Sequence, residues 1–244
     1  AQDSLFDEDI SAEVIFNNLA RVEIWHLREK LLAEKESLGF FFSGHLFDLV
    51  GEEAKKTSSV SLKNISVKPE PYWIRGIISA KRKQITRRGS VNIIEIDDGE
   101  AKVEINIFNE VFEKFNDKLK IDEFVTIFSK VENDDYSGGY RVIAEEIMDL
   151  VDMRIKFGNK VIISIKQEIS ELRLSDDQFN ELKELFCSSE QDNESGLSIL
   201  LKLEVENISY NLILPKEWKF YPTDFNLEQV KQSQNLHSIE LSYS

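Results

Sequence analysis

Residues 72–148, YWIRGIISAKRKQITRRGSVNIIEIDDGEAKVEINIFNEVFEKFNDKLKIDEFVTIFSKVENDDYSGGYRVIAEEIM, decide the fold. Apolar residues alternate with polar ones at a period of two, the spacing of strands with one buried face. Trp73 to Ala80 reads as a first strand and Val91 to Asp97 as a second, joined to the next through a tight Asp98-Gly99 turn. In the third strand Val103, Ile105 and Ile107 face one way while Lys102, Glu104 and Asn106 face the other. A short helix from Glu110 to Leu119 follows, with Val111, Phe112, Phe115 and Leu119 on its buried side. Phe124 to Val131 and Tyr140 to Met148 complete a second hairpin. Three strands, a helix and two strands is the order of an OB barrel.

Between the first two strands lies Lys81-Arg82-Lys83-Gln84-Ile85-Thr86-Arg87-Arg88-Gly89, a basic loop in a chain of formal net charge −15. An acidic chain excludes broad electrostatic coating of nucleic acid or membrane, so any contact with phosphates must be local. Lys81, Arg82, Lys83, Arg87 and Arg88 are the candidates for it, because cations on this loop of an OB fold neutralise phosphates and release counterions. A solvated hairpin tip that serves only solubility is the alternative. Trp73, Tyr136 and Tyr140 are candidate stacking platforms, but core packing is the better account of each.

Outward from the barrel, residues 1–12 read as an acidic linker and 13–71 as a helical connector and polar linker. Val14 to Leu38 carries helical spacing, with Leu27 and Leu31 on one face and a Lys30–Glu34 pair on the other, before Gly39 stops it. Residues 159–244 read as a small α+β domain: strand Val161 to Ile165, helix Ser175 to Phe186, strands Leu197 to Val205 and Ile208 to Leu214, helix Asp224 to Ser233, strand Ser238 to Ser242. Ser175 and Gln178 have the spacing of a capping box. The βαββαβ order suggests a ferredoxin-like sandwich. The fold class is therefore mixed: a βββαββ barrel at 72–150, a helical connector before it, and a βαββαβ domain after it.

Chemistry is sparse. His26, His45 and His237 stand apart without companions at ligand spacing, and Cys187 is the only cysteine. Glu145-Glu146 and Asp97-Asp98 are neighbours on strands and point to opposite faces. No catalytic, cofactor or metal site is expected, nor any membrane span or signal peptide. A linear motif is the one further signal. Gln2-Asp3-Ser4-Leu5-Phe6 places an apolar pair in an acidic tail, a pattern that buries two side chains in a partner's pocket while Gln2 fixes register. The alternative is an end that packs on its own domain.

Three further stretches carry a family resemblance. Lys35-Glu36-Ser37-Leu38-Gly39-Phe40-Phe41-Phe42-Ser43-Gly44-His45, Phe108-Asn109-Glu110-Val111-Phe112-Glu113-Lys114-Phe115, and Asp134-Asp135-Tyr136-Ser137-Gly138-Gly139 with Ala144 to Asp149 resemble, in order, the C-terminal part of the alpha subunit of bacterial DNA polymerase III. The resemblance covers roughly residues 1–158. It implies that Gln2, Leu5 and Phe6 match an internal motif for the beta sliding clamp, and that the barrel approaches single-stranded template DNA. By position and length, it implies that the last domain docks the tau subunit of the clamp loader. Leu46 departs from the Pro found in many members. The family's palm carboxylates, PHP domain and fingers are absent from these residues, so no polymerase activity is expected of them alone. The resemblance further implies a bacterial cytoplasmic, nucleoid-associated protein, and the chain reads as a piece of something larger. A free-standing single-stranded nucleic-acid-binding module and a protein-interaction scaffold are the competing readings.

Overall fold

The computed structural model describes residues 25–57, 60–86, 89–134, 138–167, 175–187, 196–205, 208–233 and 236–243. The chain divides into two units, Ala1–His45 and Leu46–Ser244. In the first, helix α1 (Leu27–Leu38) ends at Gly39, whose φ of 82° permits its N–H to close on the Lys35 carbonyl at 2.9 Å. His26 stands just ahead of this helix rather than within it. Glu34 reaches back from α1 to fix the next loop. Its carboxylate accepts the Phe42 and Ser43 amides, each at 2.8 Å, and the Ser43 hydroxyl. Lys30 lies 4.0 Å away on the same helix face, in the pairing that the spacing suggested.

The Ser43 hydroxyl and amide hold the Glu34 carboxyl below its usual pKa. A lowered folded pKa contributes stability above the unfolded value and loses it as pH falls through the folded one. Protection of the Phe42 and Ser43 amides, measured against their intrinsic exchange rates, should therefore hold down to about pH 4.5 and fall below it. Exchange at the intrinsic rate already at pH 7 would contradict this anchoring.

The second unit opens with α2 (Asp48–Lys55) and a 3-10 turn at Leu62–Asn64. The barrel follows: β1 (Tyr72–Thr86), β2 (Gly89–Asp97), β3 (Lys102–Ile107), β4 (Phe124–Asp134) and β5 (Gly139–Met148), closed in the order β1-β2-β3-β5-β4. β1 serves both edges of the closure. Its first half pairs with β4, its second with β2, and it bends at a register shift between Ile78 and Ala80. Gly76 sits at this crossing, where a Cβ would meet Ile96 Cβ at 3.0 Å and the Asp97 backbone at 3.1 Å. Inside, Ile74, Ile78, Ile94, Ile96, Ile105 and Ile127 are fully buried. Burying each stabilises the barrel by roughly 1.5–3 kcal/mol. Helix α3 (Asn109–Phe115) lays Val111, Phe112 and Phe115 against this core.

Two expectations change here. The basic segment is largely strand, because β1 runs on to Thr86 and β2 begins at Gly89. The turn expected at Asp98-Gly99 lies one residue further on, since the Asp98 amide donates to the Ala101 carbonyl at 3.3 Å and leaves Gly99 and Glu100 at the tip. Asp98 holds that turn by accepting the Glu100 and Ala101 amides, and its other oxygen takes the Leu62 amide at 2.9 Å.

Helix α4 (Leu150–Phe157) leaves the barrel under a reciprocal Asp149–Asp152 capping box. The terminal domain contains β6 (Gly158–Gln167), α5 (Asp176–Cys187), β7 (Ser198–Val205), β8 (Ile208–Ile213), α6 (Asp224–Gln232) and β9 (Ser238–Tyr243). The element order is as expected, but the sheet order β8-β7-β6-β9 is not ferredoxin-like. β6 and β7 lie side by side in parallel, with no strand inserted between them. The burial explains it. β7 supplies Ile199 and Leu201 to the core, whereas all six residues of β8 are exposed and suit only an edge. Ser175 directly precedes α5, as expected, while the Gln178 and Cys187 side chains lie outside the described residues.

Arg154 ties these pieces together. Its guanidinium, on α4, donates to Glu53 of α2 at 2.7 and 2.9 Å, to the Pro222 carbonyl at 2.9 Å and to Asp224 at 2.7 Å. The Tyr243 hydroxyl on β9 donates to the same Glu53 carboxylate. Burial opposes the Arg154 charge, yet Glu53 and Asp224 outweigh it and hold its pKa above the ordinary value. Arg75 Nη1 caps the end of α2 through the Ala54 and Thr57 carbonyls, at 2.6 and 2.9 Å.

Candidate nucleic-acid interface

The β1–β2 and β4–β5 hairpins flank the outer face of β2 and β3. The Asn92–Ile107 pair puts the β1–β2 tip beside the start of α3, and the Ile105–Val142 pair puts the start of β5 alongside β3. Inward positions on β2 and β3 include Ile94, Ile96, Val103, Ile105 and Ile107. The outward set therefore includes Arg82 from β1, Ile93, Glu95 and Asp97 from β2, and Lys102, Glu104 and Asn106 from β3.

This face carries more acid than base, and its charges satisfy one another. Arg82 grips Glu104 through two bonds of 2.9 and 2.8 Å. Lys102 lies 3.3 Å from Glu95 and 3.4 Å from Asp97, and the Ser79 hydroxyl donates to Glu95 at 2.6 Å. Burial works against the Lys102 charge, but Glu95 and Asp97 raise its pKa overall. A phosphate laid across β2 and β3 must open these pairs and meet their carboxylates.

The alternation along β1 also divides the five expected cations. Lys81 turns toward the barrel mouth. It donates to Asn116 Oδ1 at 3.2 Å and the Leu119 carbonyl at 3.3 Å, with its ammonium 5.2 Å from the Phe112 ring centroid. Lys81 thus ties β1 to the end of the barrel helix. Arg82 lies on the other face with Glu104. Lys83 is exposed and makes no hydrogen bond or ion pair among the described residues. Arg87 and Arg88 lie outside the described residues, as do Gln2, Leu5, Phe6 and Tyr136.

Among the aromatics, Trp73 is already occupied. Phe128 tilts over it at 4.8 Å, Phe157 meets it edge-on at 5.5 Å, and Lys156 lies 4.6 Å from its ring. Tyr140 is exposed at the start of β5, and Phe108 is exposed at the β3–α3 junction, next to the β1–β2 tip. Phe108 escaped the sequence reading although a signal was present: it follows inward-facing Ile107 and so must point out. Among the described residues no group of His, Cys, Asp or Glu could hold a metal ion, and no helix is long and apolar enough to cross a membrane.

Residues 72–150 match the family described as an OB-fold nucleic acid binding domain. DNA polymerase III subunit alpha of Vibrio cholerae is 26% identical over 236 residues, covering 95% of this chain and 20% of that protein. The same subunit of Escherichia coli K12 is 24% identical over 235 residues, again covering 95% of this chain and 20% of its own length. The chain thus spans about a fifth of the length of these relatives. Among solved structures, a replication protein A heterotrimer bound to ssDNA is similar over 58% of this chain and 31% of that chain, at 15% identity and a TM-score of 0.31. Across nearly its whole length, then, this chain is similar to a part of the bacterial DNA polymerase III alpha subunit, and residues 72–150 form an OB-fold nucleic acid binding domain.

Proposed function

We propose that the chain is a tether of a replicative DNA polymerase, corresponding to the C-terminal part of the alpha subunit. The observation that carries this reading is the match to alpha subunits over 95% of the chain. Its OB domain contacts single-stranded template through the β1–β2 tip. Lys83, Arg87 and Arg88 bear on phosphates there, while Lys81 and Arg82 shape the hairpin. Such contacts are electrostatic, tolerant of sequence and sensitive to salt. Gln2, Leu5 and Phe6 engage the beta sliding clamp, and the terminal domain docks the tau subunit of the clamp loader. Several weak contacts on one chain gain by effective concentration, which suits an enzyme that stays bound while sliding. Nucleotidyl transfer belongs to other parts of the longer protein, and the working compartment is the bacterial cytoplasm at the nucleoid.

Changing Leu5 and Phe6 together to alanine tests the clamp contact. Surface-plasmon resonance against purified sliding clamp should show at least a tenfold loss of affinity, with oligonucleotide binding unchanged. Unaltered clamp affinity would remove the motif from the account. A second reading, a protein-interaction scaffold, draws on the self-paired outer face of β2 and β3. It predicts no oligonucleotide binding at any salt concentration.

A further inference from the structure

We infer that the outer edge of β8 is the docking surface of the terminal domain and that it takes up an extended, net-cationic segment of a partner protein as an added strand. The inference rests on the reading that this domain docks a partner. β8 is hydrogen-bonded to β7 on one side and, among the described residues, ends the sheet on the other. The Leu214 amide bonds to the Ile199 carbonyl at 3.2 Å, and the antiparallel register continues from that pair. Ile208, Tyr210 and Leu212 therefore direct their backbone groups to β7, while Ser209, Asn211 and Ile213 direct theirs outward.

Exposed edges are ordinarily blunted by charge, proline or a bulge, because an open row of N–H and C=O groups templates another strand. β8 has none of these devices. Its sequence, Ile208-Ser209-Tyr210-Asn211-Leu212-Ile213, lacks charge and proline, and its pairing with β7 runs without a register shift. The opposite edge differs. β9 carries Glu240, shifts register against β6 between Gly158 and Lys160, and has Tyr243 held by Glu53. The open edge is also apolar, with Ile208, Tyr210 and Leu212 between 48% and 58% exposed. These three share a sheet face with Leu201 and Leu203, so they continue the apolar surface of the core out to the rim. An added strand with apolar residues at alternate positions would cover them.

Charge selects the occupant. Residues 159–244 contain fifteen Asp and Glu against eight Lys and Arg. A cationic segment is drawn to this domain, whereas a second copy of the chain, at net charge −15, is repelled.

Asn211→Pro tests the edge directly. It removes one outward donor and fills the edge with a ring, yet touches no bond to β7. Ile213→Lys supplies an independent variant that adds charge to the same edge without proline. Purified tau subunit serves as the probe in calorimetric titrations against the whole chain, with thermal unfolding followed in parallel. Both variants should keep the parent unfolding transition and lose at least tenfold in tau affinity, and binding by the parent should weaken with added salt. Full tau binding by both variants would overturn the edge while leaving the docking reading intact. No tau binding by the unaltered chain would overturn the docking reading and the inference that rests on it. Concentration-dependent dimerisation that Asn211→Pro abolishes would give the edge to a second copy and overturn the cationic partner.

Discussion

Replacing Arg154 with alanine should destabilise the Leu46–Ser244 unit by about 3–5 kcal/mol, the usual consequence of breaking a buried ion pair. The Arg154 side chain is only 5% exposed and Glu53 21%, so the variant leaves a largely buried carboxylate with Tyr243 as its remaining partner. Asp224, at 77% exposure, adds little of its own, because water screens it. Urea unfolding should show the loss as a lower midpoint. Substituting Arg154→Met together with Glu53→Leu should recover much of it, since an apolar pair of similar volume spares the desolvation of both charges. A change below about 1 kcal/mol for Arg154→Ala would mean that α2, α4 and the terminal domain are held by packing alone. Tyr243 adds a pH signature. Burial, and then its bond to Glu53, raise its pKa above 10.0, so its contribution is complete below about pH 10 and is lost as pH rises through the folded value.

The second large effect concerns the strand. Neutralising Lys83, Arg87 and Arg88 together should weaken single-stranded oligonucleotide binding and lower the slope of log K against log salt by about 2, at roughly 0.7 for each phosphate no longer neutralised. Lys81→Gln should leave that slope in place, because its ammonium is held at the barrel mouth by Asn116 and the Leu119 carbonyl. Its effect should appear as reduced thermal stability of the barrel. Arg82→Gln releases Glu104 on the outer face and should weaken binding through repulsion instead. Equal effects of all five cations on the slope would contradict this division of labour.

The barrel was legible because its strands bury one face each, and burial writes a period of two into the sequence. Where burial stops, so does the signal. Residues 81–86 pair with β2 while 81–85 are themselves exposed, and a run of Lys, Arg and Gln there looks like a loop although its backbone ladder is that of a strand. The same alternation that revealed β3 also implied an outward Phe108, but that reading requires following the pattern one residue past the strand. Helix α4 has only eight residues, and its one clear mark is the Asp149–Asp152 spacing at its start. The strand order of the terminal domain was not legible, since βαββαβ is compatible with either a split or an unsplit crossover. What decides it is that β8 lacks any buried residue, a property of the packed domain. Arg154 gave no sign at all. Glu53 lies 101 residues before it and Asp224 70 residues after, and no local pattern announces such a meeting.

The reading of the site divides in the same way. Its cations were visible as a cluster, but not that Lys81 and Lys83 share one side of β1, Lys81 held at the barrel mouth and Lys83 exposed, while Arg82 lies on the outer face. That separation depends on strand alternation and on Glu104, Asn116 and Leu119, residues distant in sequence from β1.

The central claim is that one chain holds single-stranded DNA at the β1–β2 tip and the sliding clamp through a separate motif. The most direct test is a fluorescence-anisotropy titration of a labelled single-stranded oligonucleotide at two salt concentrations, with and without purified clamp, for the parent chain and the Lys83, Arg87, Arg88 triple variant. The account predicts salt-sensitive binding by the parent, clamp association in the same sample, and loss of the strand but not the clamp in the variant. Strand binding that survives in the variant with an unchanged salt slope would contradict it.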